Sequence, residues 1–549
     1  MKKKRITPAA RAMERRLGPC KRAAVGLSIL SAIQALLGVA LAFATRQVVN
    51  AAVGGENLIL PCVLLAAVAA AIPLTRAACQ YLAGRRADRE VTALRKHLLQ
   101  QLQKKDCETV NGYHSSHLFT RLDEDCRLVC ERYTRILPET AGQVAQLIGA
   151  AGALVLLQTD LAVAMLILGV LAAAYAVVYR RAVKSRYRTV RRKTEQSVAC
   201  LQENLEHLEL SRSAADEGET VRRYDRRQTA WRKARTALRR VSVGGSAGFS
   251  LAVQLASAAL IVWGASAIHG GALDYGGLIA VLQLVSLFRA PVTTLTGIQG
   301  QLASADAARE RVEELLALPD EPRGEEIAME ETCVALVFDR VTFRYEGEEQ
   351  PVLQNYSARI EFGCWTRLTG SSGRGKSTLF RLILGLYRPS SGRIYVETDR
   401  RTVPVSAATR RLFGFVPQSP VLFSGTVREN LLLADPGADE QTLWEALELA
   451  RCGFVRDLPQ GLDTTLGQFG AGLSVGQRQR LTVARMLLRP ARMLLLDEVT
   501  SALDQQTAEE MLAGLSRRCP TALISTHRQS ILRRPEIRDL ALEAPGEET

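Results

Sequence analysis

Gly370-Ser371-Ser372-Gly373-Arg374-Gly375-Lys376-Ser377-Thr378 follows the pattern G-x-x-x-x-G-K-[ST]. In that pattern the glycines let the backbone turn so that successive N–H groups point inward at a phosphate. Lys376 is then positioned to reach the β- and γ-phosphates, and the Ser377 hydroxyl to ligate Mg²⁺. About 120 residues later, Arg492-Met493-Leu494-Leu495-Leu496-Asp497-Glu498 reads as a buried strand ending in two carboxylates. Such an aspartate holds Mg²⁺ directly or through water, and the next carboxylate, Glu498, is placed to polarise an attacking water. Ile524-Ser525-Thr526-His527 is a second short strand ending in a polar group, and its histidine could touch a γ-phosphate. Tyr345, ahead of the loop, offers an aromatic face on which adenine could stack.

These groups need a strand–loop–helix frame. The apolar, β-rich run before Gly370 supplies the strand, and Leu379, Phe380, Leu382, Ile383 and Leu386 carry the helical period after it. Leu318-Pro319-Asp320-Glu321-Pro322-Arg323-Gly324-Glu325-Glu326 is rich in proline and acid and reads as the start of a linker, 318–332. From Cys333 the chain reads as a soluble α/β domain, 333–549.

The part before the linker is of another kind. The whole chain has 549 residues, too many for one ordinary domain, with a net charge of +15 and a pI of about 9.5. Such a balance suits nucleic acid or an anionic membrane. Its apolar residues, 47% of the total, decide for the membrane because they gather in long runs. A membrane span takes about 20 mostly apolar residues. Six candidates lie near 23–45, 57–76, 136–158, 161–179, 246–268 and 275–298, so 1–317 is expected to be an all-α transmembrane domain with cytoplasmic extensions.

Basic residues cluster before the first span (Lys2 to Arg5, Arg15, Arg16, Lys21, Arg22), after the second (Arg85, Arg86, Arg89, Arg95, Lys96) and after the fourth (Arg180 to Lys193). The opposite loops are nearly free of them apart from Arg46. The positive-inside rule then sets both termini in the cytoplasm and accounts for much of the net charge without nucleic acid. The eleven cysteines are scattered with no C-x-x-C pair, and Cys126 and Cys130 lack partners at metal-ligand spacing. A removable signal peptide is not expected, since further apolar runs follow the first and no small-residue cleavage site does.

The long connections have less regular middles, Asn111 to Leu122 and Leu210 to Ala214, which read as elbows for docking a soluble domain. His114 and His117 in the first read as plain surface. Gln34, Gln143, Gln146, Gln254 and Gln283 are the polar candidates for substrate contact within the spans. Arg289 is the sharpest of these candidates, since an intramembrane charge usually faces a cavity or partner, but Arg289-Ala290-Pro291 lies toward the cytoplasmic end of the sixth span, and snorkelling there is the favoured reading.

Together these residues resemble an ABC transporter of the exporter type, a half-transporter with six membrane helices followed by one nucleotide-binding domain. The resemblance covers nearly the whole chain. It is carried by Gly472-Leu473-Ser474-Val475-Gly476-Gln477-Arg478-Gln479-Arg480, similar to the family signature L-S-G-G-Q-x-Q-R. Phe415-Val416-Pro417-Gln418 resembles its Q-loop, Ser501-Ala502-Leu503-Asp504 its D-loop, Tyr345 its A-loop and His527 its H-loop.

The resemblance implies roles. Tyr345 stacks on adenine. Gly370, Ser371, Gly373, Arg374, Gly375, Lys376, Ser377 and Thr378 hold the phosphates of ATP. Ser377, Gln418 and Asp497 serve Mg²⁺. Glu498 is general base, with Gln418 and His527 beside it. Ser474, Gly476 and Gln477 face ATP held by a second subunit. The elbow at 111–122 resembles the first coupling helix and that near Ser211 the second. It implies a multi-pass protein of the plasma membrane, in the bilayer with a second half-transporter and an unknown drug-, lipid- or peptide-like substrate. No nucleic acid is implied.

The physics agrees: one phosphate loop leaves the γ-phosphate open on one side, and the positive end of a partner's helix closes it. Val475 departs from the signature, standing where a glycine is usual, and Gln468 stands where the family's X-loop usually has glutamate. Glu498 and His527 are intact, a combination that favours a heterodimer with one weaker ATP site over a homodimer. Two rivals are a soluble P-loop ATPase of chromosome or repair type, opposed by the membrane runs, and an ATP-gated membrane regulator that moves nothing, opposed by Glu498. No peptidase domain precedes the first span, which argues against a leader-cleaving peptide exporter.

Overall fold

The computed structural model describes residues 8–113, 115–158, 185–205, 217–271, 273–370, 375–467, 470–526 and 537–542, with single positions 179, 183 and 212. The chain divides into two compact units: 1–103 with 114–317, and 104–113 with 318–549.

The first unit is helical. A short helix α1 (Pro8–Arg16) precedes α2 (Gly18–Gly54) and α3 (Ile59–Leu102). After the 104–113 excursion, which carries α4 (Cys107–Asn111) capped by Asp106, a helical run leads into α5 (Leu137–Leu157). Two π-helical turns, Arg121–Asp125 and Arg132–Ile136, interrupt that run. Then follow α6 (Glu217–His269), α7 (Tyr275–Leu287) and α8 (Arg289–Leu316).

Among the described residues four helices are long and apolar enough to cross a membrane: Gly18–Gly54, Ile59–Leu102, His117–Leu157 and Gly218–His269. Their apolar residues lie largely outside: Leu60 is 77% exposed and Leu156 83%, as lipid-facing positions require. Where helices touch, the buried positions are often small (Ala42, Ala150, Ala153, Ala280), which lets backbones approach.

One expected span falls almost wholly outside the described residues, and one comes out differently. The fourth, 161–179, lies outside the described residues except Tyr179. The sixth, 275–298, is broken at Phe288 into α7 and the start of α8. Pro291 is the cause: it has no N–H to give the carbonyl of Leu287, four residues back. Gln146 Nε2, from α5, donates to that oxygen instead at 3.0 Å. Gln146, expected as a substrate contact, is thus engaged in mending a helix.

In the second unit, 104–106 pairs with the stretch read as a linker. Asp106 N donates to Pro319 O at 2.9 Å and Glu321 N to Lys104 O at 2.9 Å, while buried Lys105 reaches Leu318 O and Asp320. Farther on, Arg401 binds Glu325 and Glu331, and Arg410 pairs with Glu321. The stretch is held along its length.

A four-stranded antiparallel sheet has the order β2 (Leu353–Glu361), β1 (Cys333–Phe343), β4 (Ser391–Thr398), β5 (Thr402–Pro404). A five-stranded sheet has the order β11 (Ile537–Ala541), β3 (Trp365–Thr369), β10 (Ala522–Ser525), β9 (Met493–Asp497), β6 (Phe413–Val416), with every pair parallel. Parallel strands need cover on both faces, which is why β9 is apolar without alternation and wholly buried.

One core, with Phe338, Phe343, Phe380, Phe413 and Leu495, joins the two sheets around α9 (Lys376–Ile383). A second lies under α10 (Val427–Leu432), α11 (Glu440–Leu449), α12 (Val475–Leu487) and α13 (Gln505–Arg518). β7 (Gly425–Thr426) and β8 (Thr465–Leu466) form a small ribbon beside it.

Candidate nucleotide-binding site

The carboxyl ends of parallel strands are where an open α/β sheet leaves room for a ligand. Here β3 ends at Thr369, β9 at Asp497 and β10 at Ser525, the last two in register. Gly370 follows β3, and Gly375 opens α9 with φ +87°, a left-handed conformation that suits glycine. A Cβ there would also come within 2.6 Å of Val352. As N-cap, Gly375 brings no side-chain oxygen to the first-turn amides of α9, the end of a helix at which an anion is favoured. Lys376, 7% exposed, donates from Nζ to Gly370 O at 3.0 Å. Ser371, Gly373 and Arg374 lie outside the described residues.

Ser377 Oγ donates to Asp497 Oδ2 at 2.7 Å, which unites two of the three groups expected to hold Mg²⁺ across 120 residues of chain. Asp497 is 4% exposed. Burial pushes its carboxyl above the usual aspartate range, and the Ser377 bond and the Lys376 charge work against that shift. A buried carboxylate beside a hydroxyl at a helix N-terminus is a donor set that fits a magnesium–nucleotide.

Glu498 breaks the strand direction. Its φ is +50°, unusual for a residue with a side chain and a strain of about 1–3 kcal/mol. Its N–H donates to Ser525 O at 3.0 Å, and its carbonyl accepts from Gln479 Nε2 at 3.0 Å. Gln418 Nε2 donates to Glu498 Oε2 at 2.9 Å. The expected general base and the expected Q-loop residue are therefore hydrogen-bonded neighbours.

Tyr345 stands edge-on to Phe343 (4.9 Å between ring centroids) and to Tyr387 (5.5 Å). Its hydroxyl lies 2.9 Å from Thr378 Oγ1 and accepts from Arg381 at 3.0 Å. Tyr387 in turn accepts from Asn111 Nδ2 of α4 at 3.3 Å, and Arg388 pairs with Asp106 at 3.4 Å. The sequence reading missed Tyr387 and Arg381, and it named Gln479 only as part of the signature, without its bond to Glu498. A tyrosine between a leucine and an arginine gives no motif, and nothing in the signature announces that Gln479 is only 1% exposed.

The signature segment starts α12. Ser474 is its N-cap and forms a reciprocal box with Gln477: Ser474 Oγ accepts from Gln477 N at 3.2 Å, and Gln477 Oε1 from Ser474 N at 2.9 Å. A Cβ on Gly476 would sit 2.7 Å from the backbone oxygen of Ala502, so the signature and the D-loop are packed backbone to backbone there. Val475 is 50% exposed. His527 and Gln468 fall outside the described residues. Within the membrane helices, the side-chain oxygens of Gln143 and Gln283 are buried without a hydrogen-bond partner among the described residues.

A phosphate-loop nucleotide site fused to apolar, bilayer-length helices defines a membrane-spanning, ATP-binding protein. The comparisons with known proteins give the family. The ABC transporter transmembrane region matches residues 23–292, and the ABC transporter family matches 353–501. The chain is 30% identical over 462 residues to the "ABC multidrug transporter mdr2" of Aspergillus fumigatus, covering 82% of this chain and 57% of that protein. It is 30% identical over 444 residues to the "Uncharacterized ABC transporter ATP-binding protein YfiB" of Bacillus subtilis, covering 79% and 76%. In fold it is similar to a bacterial Atm1-family ABC exporter solved with ATP bound, with a TM-score of 0.75, 23% identity, and 96% and 94% of the two chains covered. The chain belongs to the ABC transporter family and carries one transmembrane region followed by one ATP-binding module; it spans only 57% of the length of the first of these relatives.

Proposed function

We propose that this chain is one half of an ATP-driven exporter of the plasma membrane, working with a second, different half-transporter. The observation that carries the reading is the Ser377–Asp497 and Gln418–Glu498 pairing at one strand edge, in a chain whose membrane helices are built to meet lipid.

Lys376 and the opening amides of α9 hold the β- and γ-phosphates, and Tyr345 stacks on adenine once its hydroxyl leaves Thr378. Ser377, Asp497 and Gln418 would hold Mg²⁺, which neutralises charge developing on the terminal phosphate. Glu498 accepts a proton from the attacking water, with Gln418 orienting its carboxylate and His527 at the γ-phosphate. The partner's Ser–Gly signature closes the site from the other side, and Ser474, Gly476 and Gln477 do the same for the partner's nucleotide.

The first elbow, expected at 111–122, is taken instead to be the α4 segment, which packs in the nucleotide-binding unit through Asn111 and Asp106; as first coupling helix it would carry closure and parting of the two modules to the membrane helices. Basic residues at the same ends of the spans orient both termini toward the cytoplasm. Gln143 and Gln283, with free oxygens, are better candidates for substrate contact than Gln146.

Two features side by side support the heterodimer: an intact Glu498 and a signature altered at Val475. A half-transporter that needs a partner for its second full-strength site is expected to be weakly active alone. The test is to express the chain with and without candidate partner chains and measure substrate-stimulated ATPase activity after reconstitution. Full activity of a stable homodimer would contradict the heterodimer, and lack of ATP hydrolysis in every pairing would contradict the exporter.

A further inference from the structure

One cleft in the membrane unit has no place in the nucleotide chemistry. It has a volume of about 540 Å³ and is lined by Pro19, Arg22, Ala23, Gly26, Leu27, Leu82 and Arg86, where the start of α2 meets α3. Its walls are apolar except for two guanidinium groups, one from each helix. Both arginines are exposed, and among the described residues neither has an ion-pair or hydrogen-bond partner. Nearby carboxylates are engaged elsewhere: Glu14 pairs with Lys21 and Arg309, and buried Glu90 accepts from Cys20 Sγ. Asp88, two residues on from Arg86, falls on another face of α3.

Depth identifies the ligand. At 1.5 Å per residue, about 48 Å of helix separates Arg22 from the far end of α2 at Gly54, and about 40 Å separates Arg86 from the start of α3 at Ile59. A bilayer with its headgroup layers is about 40–45 Å thick. Helices joined at one face by a short turn therefore carry these two arginines to the headgroup layer of the other. Beside them Val25, Ile29 and Tyr81 are exposed apolar side chains that continue the wall toward the hydrocarbon. A lone arginine at that level would snorkel to water. Two on separate helices, flanking an apolar cleft, present forked donors that match a phosphate.

We propose that this cleft binds the phosphodiester headgroup of an anionic phospholipid between Arg22 and Arg86, with an acyl chain lying along Leu27 and Leu82. The reading stands apart from the assignment of the nucleotide site and would survive its failure.

The full-length chain is purified from nanodiscs holding equal amounts of phosphatidylglycerol and phosphatidylcholine and weighed intact with its bound lipids. Phosphatidylglycerol is expected to be retained preferentially. Arg22→Gln and Arg86→Gln should each lower the ratio of the two lipids by about fivefold. Arg240→Gln, in a separate basic cleft, should leave it unchanged. Equal retention of both lipids, or an unchanged ratio in the double variant, overturns the proposal. Displacement of phosphatidylglycerol by millimolar inorganic phosphate would make a soluble anion the ligand and overturns it too. Should the arginine variants fail to fold, photoactivatable phosphatidylglycerol on the unaltered chain decides: cross-links are expected within 19–27 and 82–86, and cross-links confined elsewhere contradict the site.

Discussion

Two helices of the ATP-binding module begin at the phosphate loop and at the signature segment, and they begin differently. α9 starts at Gly375, which has no side-chain oxygen to cap its amides, and Lys376, Ser377 and buried Asp497 stand around that start. α12 starts at Ser474, whose side chain satisfies its own helix through the box with Gln477. Its next residue, Val475, projects outward, while Gly476 is pressed against Ala502. The first start suits an anion because no side chain caps it. The second is a self-sufficient helix end with a departure on its outward side. In the proposed dimer the chain thus supplies a whole catalytic face and a modified lid, so that asymmetry between the two ATP sites is located in the lid.

Substitutions can break or sharpen that contrast. The largest effect is expected at the catalytic face. Glu498→Gln should lower ATP turnover by about 10²–10⁴-fold while nucleotide stays bound, as read by phosphate release against nucleotide retention in the assembled dimer. At the lid, Gly476→Ala drives a Cβ into the Ala502 carbonyl and should destabilise the chain by about 1–3 kcal/mol, seen as a lowered Tm. The neighbouring Val475→Ala, in open surroundings, should leave the Tm almost unchanged.

Asp497→Asn separates stability from function. A carboxyl raised above its unfolded value contributes stability that is fully present below the unfolded value and is lost as pH rises through the folded one. At neutral pH without Mg²⁺ the amide should therefore stabilise the module, seen as a raised Tm, while Mg²⁺-dependent hydrolysis falls. The same shift predicts that Mg²⁺ dependence weakens on acidification at a higher pH than an exposed aspartate would give. The smallest effect is expected from Val475→Gly, which should raise turnover at the partner's site by about threefold, less than ~1 kcal/mol. No change would leave Val475 a tolerated substitution.

The grouping of the candidate site was legible because the chemistry proposed for it dictates local spacing: a loop of glycines with Lys376, and a strand that ends in Asp497, with Glu498 next. The membrane character was legible because lipid demands long apolar runs. What was not legible depends on partners distant in sequence. The strained φ of Glu498 is supported by Gln479 and Ser525. Pro291 is visible in the sequence, but the rescue of Leu287 by Gln146 is not. That 104–113 leaves the helical unit to join the nucleotide-binding one rests on Lys105 and Asp106 meeting 318–320, contacts that no periodicity announces.

The central claim is that ATP bound at this chain's phosphate loop draws two ATP-binding modules together. The direct measurement is the distance between spin labels on the two modules of the assembled dimer carrying Glu498→Gln, with and without magnesium–ATP. The account predicts a shorter distance with nucleotide, abolished by Lys376→Ala. An unchanged distance, with ATP demonstrably bound, would contradict it.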